Sequence, residues 1–134
     1  MANLPERNDL YAAVHDCLLA LLGRDGVLGV VLLDGEGRLI LHEGREPQGD
    51  VEALAASRLA AARRVDGVLD PEGRHHACLL TDARHTVYLT RGGAGTVLLA
   101  YLEPSVPAGL AHRLLDVDAG RLADLLDAAL ADEA

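Results

Sequence analysis

The sequence predicts an α+β protein, a three-layer α/β/α sandwich with helices on both faces of one five-stranded, mostly antiparallel sheet. Two runs, Val27–Leu33 and Thr96–Leu102, are almost continuously apolar, as expected of central strands that are covered on both faces. Three other segments carry apolar residues at helical spacing. The last three strand candidates are joined by connections too short for crossover helices, so they should form an antiparallel meander. The predicted element order is α-β-β-α-β-β-β-α.

The first half of the chain should contain one helix, one hairpin and a second helix. The first helix begins near Pro5, a residue favoured in the first helical turn, and ends at Leu22 before Gly23. The strand Val27–Leu33 and a strand over about 38–43 flank a glycine-containing turn at 34–37.

The second helix begins after Asp50, a favourable N-cap residue, and continues to about Leu69. It is rich in alanine on both its apolar and its opposite side. The strand candidates that follow are Ala77–Thr81, 85–90 and Thr96–Leu102. Pro104 and Pro107 should interrupt the chain before a final helix that starts near Asp116 or Asp118, with this carboxylate pair as its cap.

Composition limits the classes of function. The 134 residues suit a single domain, and 50% apolar residues are ample for one core. A net charge of −9 argues against nucleic acid and against anionic membrane surfaces as partners. The N-terminus lacks a basic segment followed by an apolar stretch, so we expect no signal peptide and a cytoplasmic location. All basic residues are arginine, which is typical of a GC-rich, bacterial coding sequence.

No set of residues predicts catalysis, a metal site or a cofactor. The glycine-rich segment 91–96 lacks lysine and precedes a strand instead of a helix, so it is interpreted as a hairpin turn and not as a phosphate loop. The histidines are expected to be surface residues because no cysteine or carboxylate stands at ligand spacing beside them. Those considered are His42, His75, His76 and His85.

The order of elements and several local motifs resemble the Roadblock family, the dynein-light-chain-related modules with a profilin-like or longin-like layout. The motifs are Gly26-Val27-x-Gly29 at the opening of the first strand, Asp34-x-x-Gly37 in its turn, and Gly109-x-x-x-Arg113 between the last strand and the last helix. An alanine-rich second helix also fits. The resemblance covers about residues 8–130 of what we expect to be one domain, 1–134.

The resemblance implies a non-enzymatic homodimer or heterodimer that binds a Ras-like small GTPase as scaffold, exchange platform or GTPase-activating partner. It also implies a dimer seam formed by the third strand and the second helix. The residues favour the same seam independently, because the third strand would be an edge strand that no charge or proline protects. The predicted interface comprises Leu54, Ala55, Arg58, Leu59, Ala62, Ala77, Cys78, Leu79 and Leu80.

Arg58 leaves two interpretations open. It interrupts the apolar stripe of the second helix, so it either pairs with a carboxylate across the seam or extends past the stripe to water. Arg63, Arg64 and Arg113 are candidates for an arginine finger, although solvated helix charges explain them as well.

Two other classes of function stay open. One is a small-molecule-sensing domain of similar layout, which should have a sizeable pocket. The other is an enzyme of unknown type with polar residues clustered in a cleft.

Overall fold

The computed structural model describes residues 7–69, 77–82 and 84–131. Three helices and five strands follow one another in the predicted order, which confirms the fold class. They are α1 (Arg7–Leu22), β1 (Val27–Leu33), β2 (Leu39–Gly44), α2 (Val51–Leu69), β3 (Ala77–Thr81), β4 (Thr86–Gly93), β5 (Thr96–Leu102) and α3 (Ala108–Ala131). No helix in these ranges is both long and apolar enough to cross a membrane.

All five strands form one sheet in the order β2-β1-β5-β4-β3, and every neighbouring pair is antiparallel. The two most apolar strands, β1 and β5, occupy the interior of the sheet, as predicted. β3, β4 and β5 form the predicted meander. β2 and β3 are therefore the two edges.

The alternation of side chains along β1 divides the core into two layers. Val30 and Leu32 pack with α1 and α3 on one face, whereas Val31 and Leu33 pack with α2 on the other. Helices therefore lie on both faces of the sheet, and the predicted three-layer arrangement is confirmed.

Local hydrogen bonds explain where the first hairpin and α2 begin. The Asp34 carboxylate accepts the backbone N–H groups of Glu36 and Arg38, both at 2.9 Å, and Gly37 adopts the positive φ that this turn requires. Asp50 caps α2 as predicted, because its carboxylate accepts the N–H of Ala53 at 3.1 Å.

The predicted start of the last helix is wrong. α3 begins at Ala108, and its first turn is closed by the Ala111 N–H, which donates to the Pro107 carbonyl at 2.9 Å. Gly109 and Arg113 consequently lie inside this helix and not in a connection before it. Gly109 lowers helix propensity, but Ala111 and Leu115 bury themselves against the core and stabilise the first turns.

Asp116 and Asp118 lie in the middle of α3 and do not cap it. Asp118 is 4% exposed and accepts a hydrogen bond at 2.9 Å from the Nε of Arg24, in the turn before β1. Asp116 accepts a hydrogen bond from the Tyr88 hydroxyl. These tertiary partners explain why two carboxylates are found within a helix.

The segment 91–96 is a hairpin, as interpreted, but β4 extends to Gly93 and leaves only Ala94 and Gly95 as its tip. Gly93 is required at its position because a Cβ atom there would lie 2.4 Å from the carbonyl oxygen of Ala123 in α3. Glycines that allow close packing and glycines that form turns look alike in a sequence, so the predicted strand 85–90 ends too early.

Some predictions fall on residues outside the described ranges. They concern Pro5, His75 and His76.

Candidate partner-binding surface

β3 is an edge strand whose side chains are anchored on both faces of the sheet. Ala77 and Leu79 contact the core on the α1 and α3 side, whereas Cys78 and Leu80 contact the core beneath α2. Its described hydrogen-bonding partner is β4 alone, and the strand contains neither a charged residue nor a proline. β3 is therefore the last strand of the sheet that the described residues form, and its outer side is where another strand could pair.

The opposite edge is less open. At the start of β2, the Leu39 N–H already donates to the Glu52 carboxylate of α2 at 2.8 Å. Near its end, Glu43 is hydrogen-bonded to His15 of α1 at 2.6 Å. Of the two edges, β3 is thus the better candidate for strand pairing.

α2 contributes both core and surface residues to the predicted interface. Ala55, Leu59 and Ala62 are buried against the sheet of their own chain, so they hold α2 in place. Leu54 is 44% exposed and is not part of this core. Together with Arg58 and the open edge of β3, Leu54 forms what we call the α2/β3 surface.

Arg58 links α2 to the turn that follows β3. Its guanidinium forms an ion pair with Asp82 of the same chain, so neither of the two interpretations of Arg58 describes its contact. The Asp82 carboxylate also accepts the N–H groups of His85, at 2.9 Å, and of Arg84, at 2.7 Å. These backbone donors and the Arg58 guanidinium hold the pKa of Asp82 well below its usual value.

α2 covers only part of its face of the sheet. A helix is about 10 Å wide with its side chains. Five strands at a spacing of about 4.8 Å extend about 19 Å from the first to the last. Two cavities, of about 700 and 470 Å³, flank the line where α2 approaches β3 and β4.

The larger cavity lies toward the β4–β5 hairpin. It is lined by Leu59 and Ala62 of α2, by Ala77 and Cys78 of β3, and by Asp127 of α3 among others. The Asp127 carboxylate accepts the Ala94 N–H at 2.7 Å, which fixes the hairpin tip to α3.

The smaller cavity lies at the other end of β3, and its polar lining was not predicted from the sequence. The Glu46 carboxylate lies 3.2 Å from the Nε2 of His85, and the His85 ring packs edge-on against Tyr101. His85 is 16% exposed, so the expectation of a surface histidine is wrong for this residue. These residues are far apart in the chain, and no local spacing relates them.

The arginines considered as fingers differ in their contacts. Arg63 donates to the Gly35 carbonyl in the first hairpin at 2.7 Å, whereas Arg64 and Arg113 are exposed. Within the parts of the chain that the structure describes, no three His, Cys, Asp or Glu side chains come together as metal ligands would.

Comparison with known proteins supports the fold and shows the family. The sequence profile of the Roadblock/LC7 domain matches residues 13–102, more than half of the chain. No curated protein sequence matches the chain.

Among solved structures, the gliding protein MglB of Thermus thermophilus is similar with a TM-score of 0.77 at 17% identity, covering 95% of this chain and 98% of its own. A structure described as MglB with tetrameric arrangement gives 0.75 at 21% identity, covering 96% and 98%. Profilin IB of Acanthamoeba castellanii gives 0.54 at 13% identity, covering 77% and 90%, which supports the profilin-like layout. The match of the domain profile to most of the fold is what assigns the family: this chain belongs to the Roadblock/LC7 domain family.

Proposed function

We propose that this chain is a non-enzymatic, dimeric adaptor of the bacterial cytoplasm that binds a Ras-like small GTPase. Membership of the Roadblock/LC7 family supports a regulatory role. The observation that carries the proposal is the α2/β3 surface, where an open strand edge adjoins a helix that covers only part of its sheet face.

Dimerisation is proposed to occur through β3. Two copies of an unprotected edge strand can pair antiparallel and extend the sheet across both subunits. The second copy of α2 would then lie beside the first and cover more of the same face. Leu54 is the exposed apolar residue that this arrangement would bury. An MglB of similar fold is described as tetrameric, and self-association of that protein is consistent with the proposal.

The GTPase partner is proposed from the family resemblance. Whether the chain activates the GTPase or acts as a scaffold is a separate question. All three candidate arginines are exposed, but the Arg63 guanidinium donates to the Gly35 carbonyl of its own chain. This bond argues against insertion of Arg63 into the partner's nucleotide site, and we propose a scaffold or reshaping role.

The experiment is to co-purify the native protein and identify what accompanies it. A Ras-like GTPase encoded nearby would then be tested for binding by calorimetry, once with a GTP analogue and once with GDP. The proposal expects saturable binding in at least one nucleotide state, with GTP hydrolysis measured in parallel. Absence of binding in both states contradicts it.

For measurements of dimerisation, Ala60→Glu is the control variant. It changes an exposed residue of α2 that is not part of the α2/β3 surface, so it should leave dimerisation unchanged.

A second candidate function is a small-molecule-sensing domain. The two cavities beside α2 favour it, because ligand sites commonly have volumes of several hundred Å³. A metabolite that raises the melting temperature in a saturable manner would support this function.

A further inference from the structure

The smaller cavity contains a buried polar group without a partner. The Tyr101 side chain lines the cavity and is 2% exposed, yet its hydroxyl makes no hydrogen bond to any residue that the structure describes. Most buried polar groups in proteins are hydrogen-bonded, because leaving one unpaired costs about 1–3 kcal/mol. An unpaired hydroxyl beside a cavity therefore indicates a group that a ligand can satisfy.

The hydroxyl is a hydrogen-bond donor at neutral pH. Burial raises the pKa of Tyr101 to about 12, and the carboxylates of Asp82 and Glu46 add to the increase while the Arg58 guanidinium opposes it. The phenol thus keeps its proton, and it lies within the electrostatic reach of these three charged groups. A ligand oxygen that carries negative charge is its best acceptor.

Among the arginines that line the cavity, only one has a described charged partner. Arg58 is paired with Asp82, and the Glu46 carboxylate lies 3.2 Å from the Nε2 of His85. The Arg84 guanidinium lines the same cavity and has no described hydrogen bond or ion pair. The lining therefore offers the Arg84 guanidinium and an unpaired phenol donor, and both suit a carboxylate oxygen.

The two carboxylates and the apolar part of the lining limit further which ligands the cavity can bind. A dianion such as phosphate would lie close to both Glu46 and Asp82 and would be repelled by them. Pro47 and Leu54 supply apolar surface, and a volume of about 470 Å³ holds a small organic molecule.

We propose that this cavity binds a small organic carboxylate, which accepts a hydrogen bond from the Tyr101 hydroxyl and pairs with the Arg84 guanidinium. The carbon chain of the ligand lies against Pro47 and Leu54. This site goes beyond the proposed adaptor function and does not depend on a GTPase partner. Because Leu54 and Arg58 also belong to the α2/β3 surface, bound carboxylate lies next to the proposed dimer seam.

The test is a titration of the full chain with butyrate and hexanoate, followed through the backbone amide NMR signals of residues near the cavity. Butanol and hexanol have matched carbon chains without the charge and serve as ligand controls. We expect saturable shifts with the carboxylates, tighter for hexanoate, and none with the alcohols.

Two variants locate the site. Tyr101→Phe removes only the hydroxyl, and because that hydroxyl is unpaired the variant should fold at least as stably as the original protein. We expect it to bind hexanoate roughly tenfold more weakly, which corresponds to about 1.4 kcal/mol. Arg84→Gln should weaken binding by a similar factor. Tyr11→Phe removes the hydroxyl of an exposed tyrosine on α1 and should bind as the original protein does.

Three results would overturn the proposal: no saturable shift with either carboxylate, equal binding of the alcohols, or unchanged hexanoate affinity in folded Tyr101→Phe. Tighter binding of inorganic phosphate than of the carboxylates would also contradict it. Failure to bind a GTPase would leave this result untouched, so the two proposals can fail separately.

Discussion

At the scale of single residues, the contact between Arg24 and Asp118 joins the start of β1 to the middle of α3. Asp118 is buried and accepts the Arg24 Nε–H at 2.9 Å, and this bond raises the pKa of Arg24. The bond therefore links α3 to the turn before β1 and stabilises this contact.

We expect Asp118→Asn to lower the free energy of unfolding by about 1–3 kcal/mol, because an amide of the same size replaces a charge-assisted acceptor. Urea unfolding followed by circular dichroism measures the change. Asp124→Asn, which alters an exposed carboxylate of the same helix, is the matched control and should change stability little. Equal stability of the two variants would show that the Arg24 contact contributes nothing.

Asp82 predicts a pH dependence of stability. Its pKa is lowered in the folded chain by the N–H groups of His85 and Arg84 and by Arg58, relative to an ordinary value of 3.8. The stabilisation that the ionised Asp82 carboxylate gives the folded chain is therefore fully present when the pH is above the ordinary pKa of 3.8. It is lost as the pH falls below that value. The side chain is partly exposed, so we expect the effect to be about 1 kcal/mol or less.

The measurement compares the original protein with Asp82→Asn by urea unfolding from neutral pH into the acid range. We expect the original protein to be the more stable at neutral pH, with a difference that shrinks below the ordinary pKa. A difference that stays constant through the acid range would show that protonation of Asp82 is not its source.

These residues also show what a sequence can predict at this scale. Asp34 and Asp50 act on backbone groups within four residues of themselves, so their roles could be predicted from local spacing. Asp118 depends on Arg24, and Asp82 pairs with Arg58 in addition to its two local N–H donors; both arginines are distant in the chain. No local pattern relates these pairs, and their roles became visible only in the folded structure.

At the scale of elements, β1 is held close to the connection between β2 and α2. A Cβ atom added at Gly29 would lie 1.7 Å from the Glu46 carbonyl oxygen, which is backbone and cannot rotate away. Gly120 of α3 is the opposite case, since nothing lies within 4 Å of a Cβ atom there.

We expect Gly29→Ala to destabilise the protein by at least about 1–3 kcal/mol, since either β1 or the connection must shift. Gly120→Ala should stabilise it by about 0.5–1 kcal/mol, because alanine is the better helix former. Thermal unfolding of both variants tests the pair. A Gly29→Ala protein with unchanged melting temperature would contradict the close approach.

The α2/β3 surface makes a separate prediction about assembly. Leu54 is exposed in the single chain, so Leu54→Glu should cost that chain little stability. In the proposed dimer it would place a charge in the seam of each subunit and weaken association at least tenfold, which is about 1.4 kcal/mol. Sedimentation velocity over a range of concentrations measures this, with Ala60→Glu as the control. Identical association of the two variants would exclude Leu54 from the seam.

Elements with a strong apolar pattern were predictable, whereas the end of β4 and the start of α3 were not. β1, β3 and β5 have the predicted limits, and the side chains of β1 and β5 are buried along most of their lengths. The start of α3 was misplaced by eight residues or more because Gly109 and the two aspartates resemble a helix boundary. Packing of Ala111 and Leu115 outweighs these local preferences, and only the tertiary structure contains that information.

At the scale of the whole molecule, the two faces of the sheet are covered unequally. α1 and α3 pack against one face and against each other, whereas α2 alone lies on the other. The order of the layers could be predicted from the sequence. The cavities beside α2 could not be predicted, because each is lined by residues from several segments that are distant in the chain.

The central claim is that this chain acts as a dimer that binds a Ras-like GTPase. Sedimentation velocity tests it most directly, with the chain alone at micromolar concentration and then mixed with a co-purifying GTPase loaded with a GTP analogue. We predict a dimer for the chain alone and a faster-sedimenting complex that contains two copies of the chain in the mixture. A chain that sediments as a monomer, or a dimer whose sedimentation the GTPase does not change in either nucleotide state, would contradict the account.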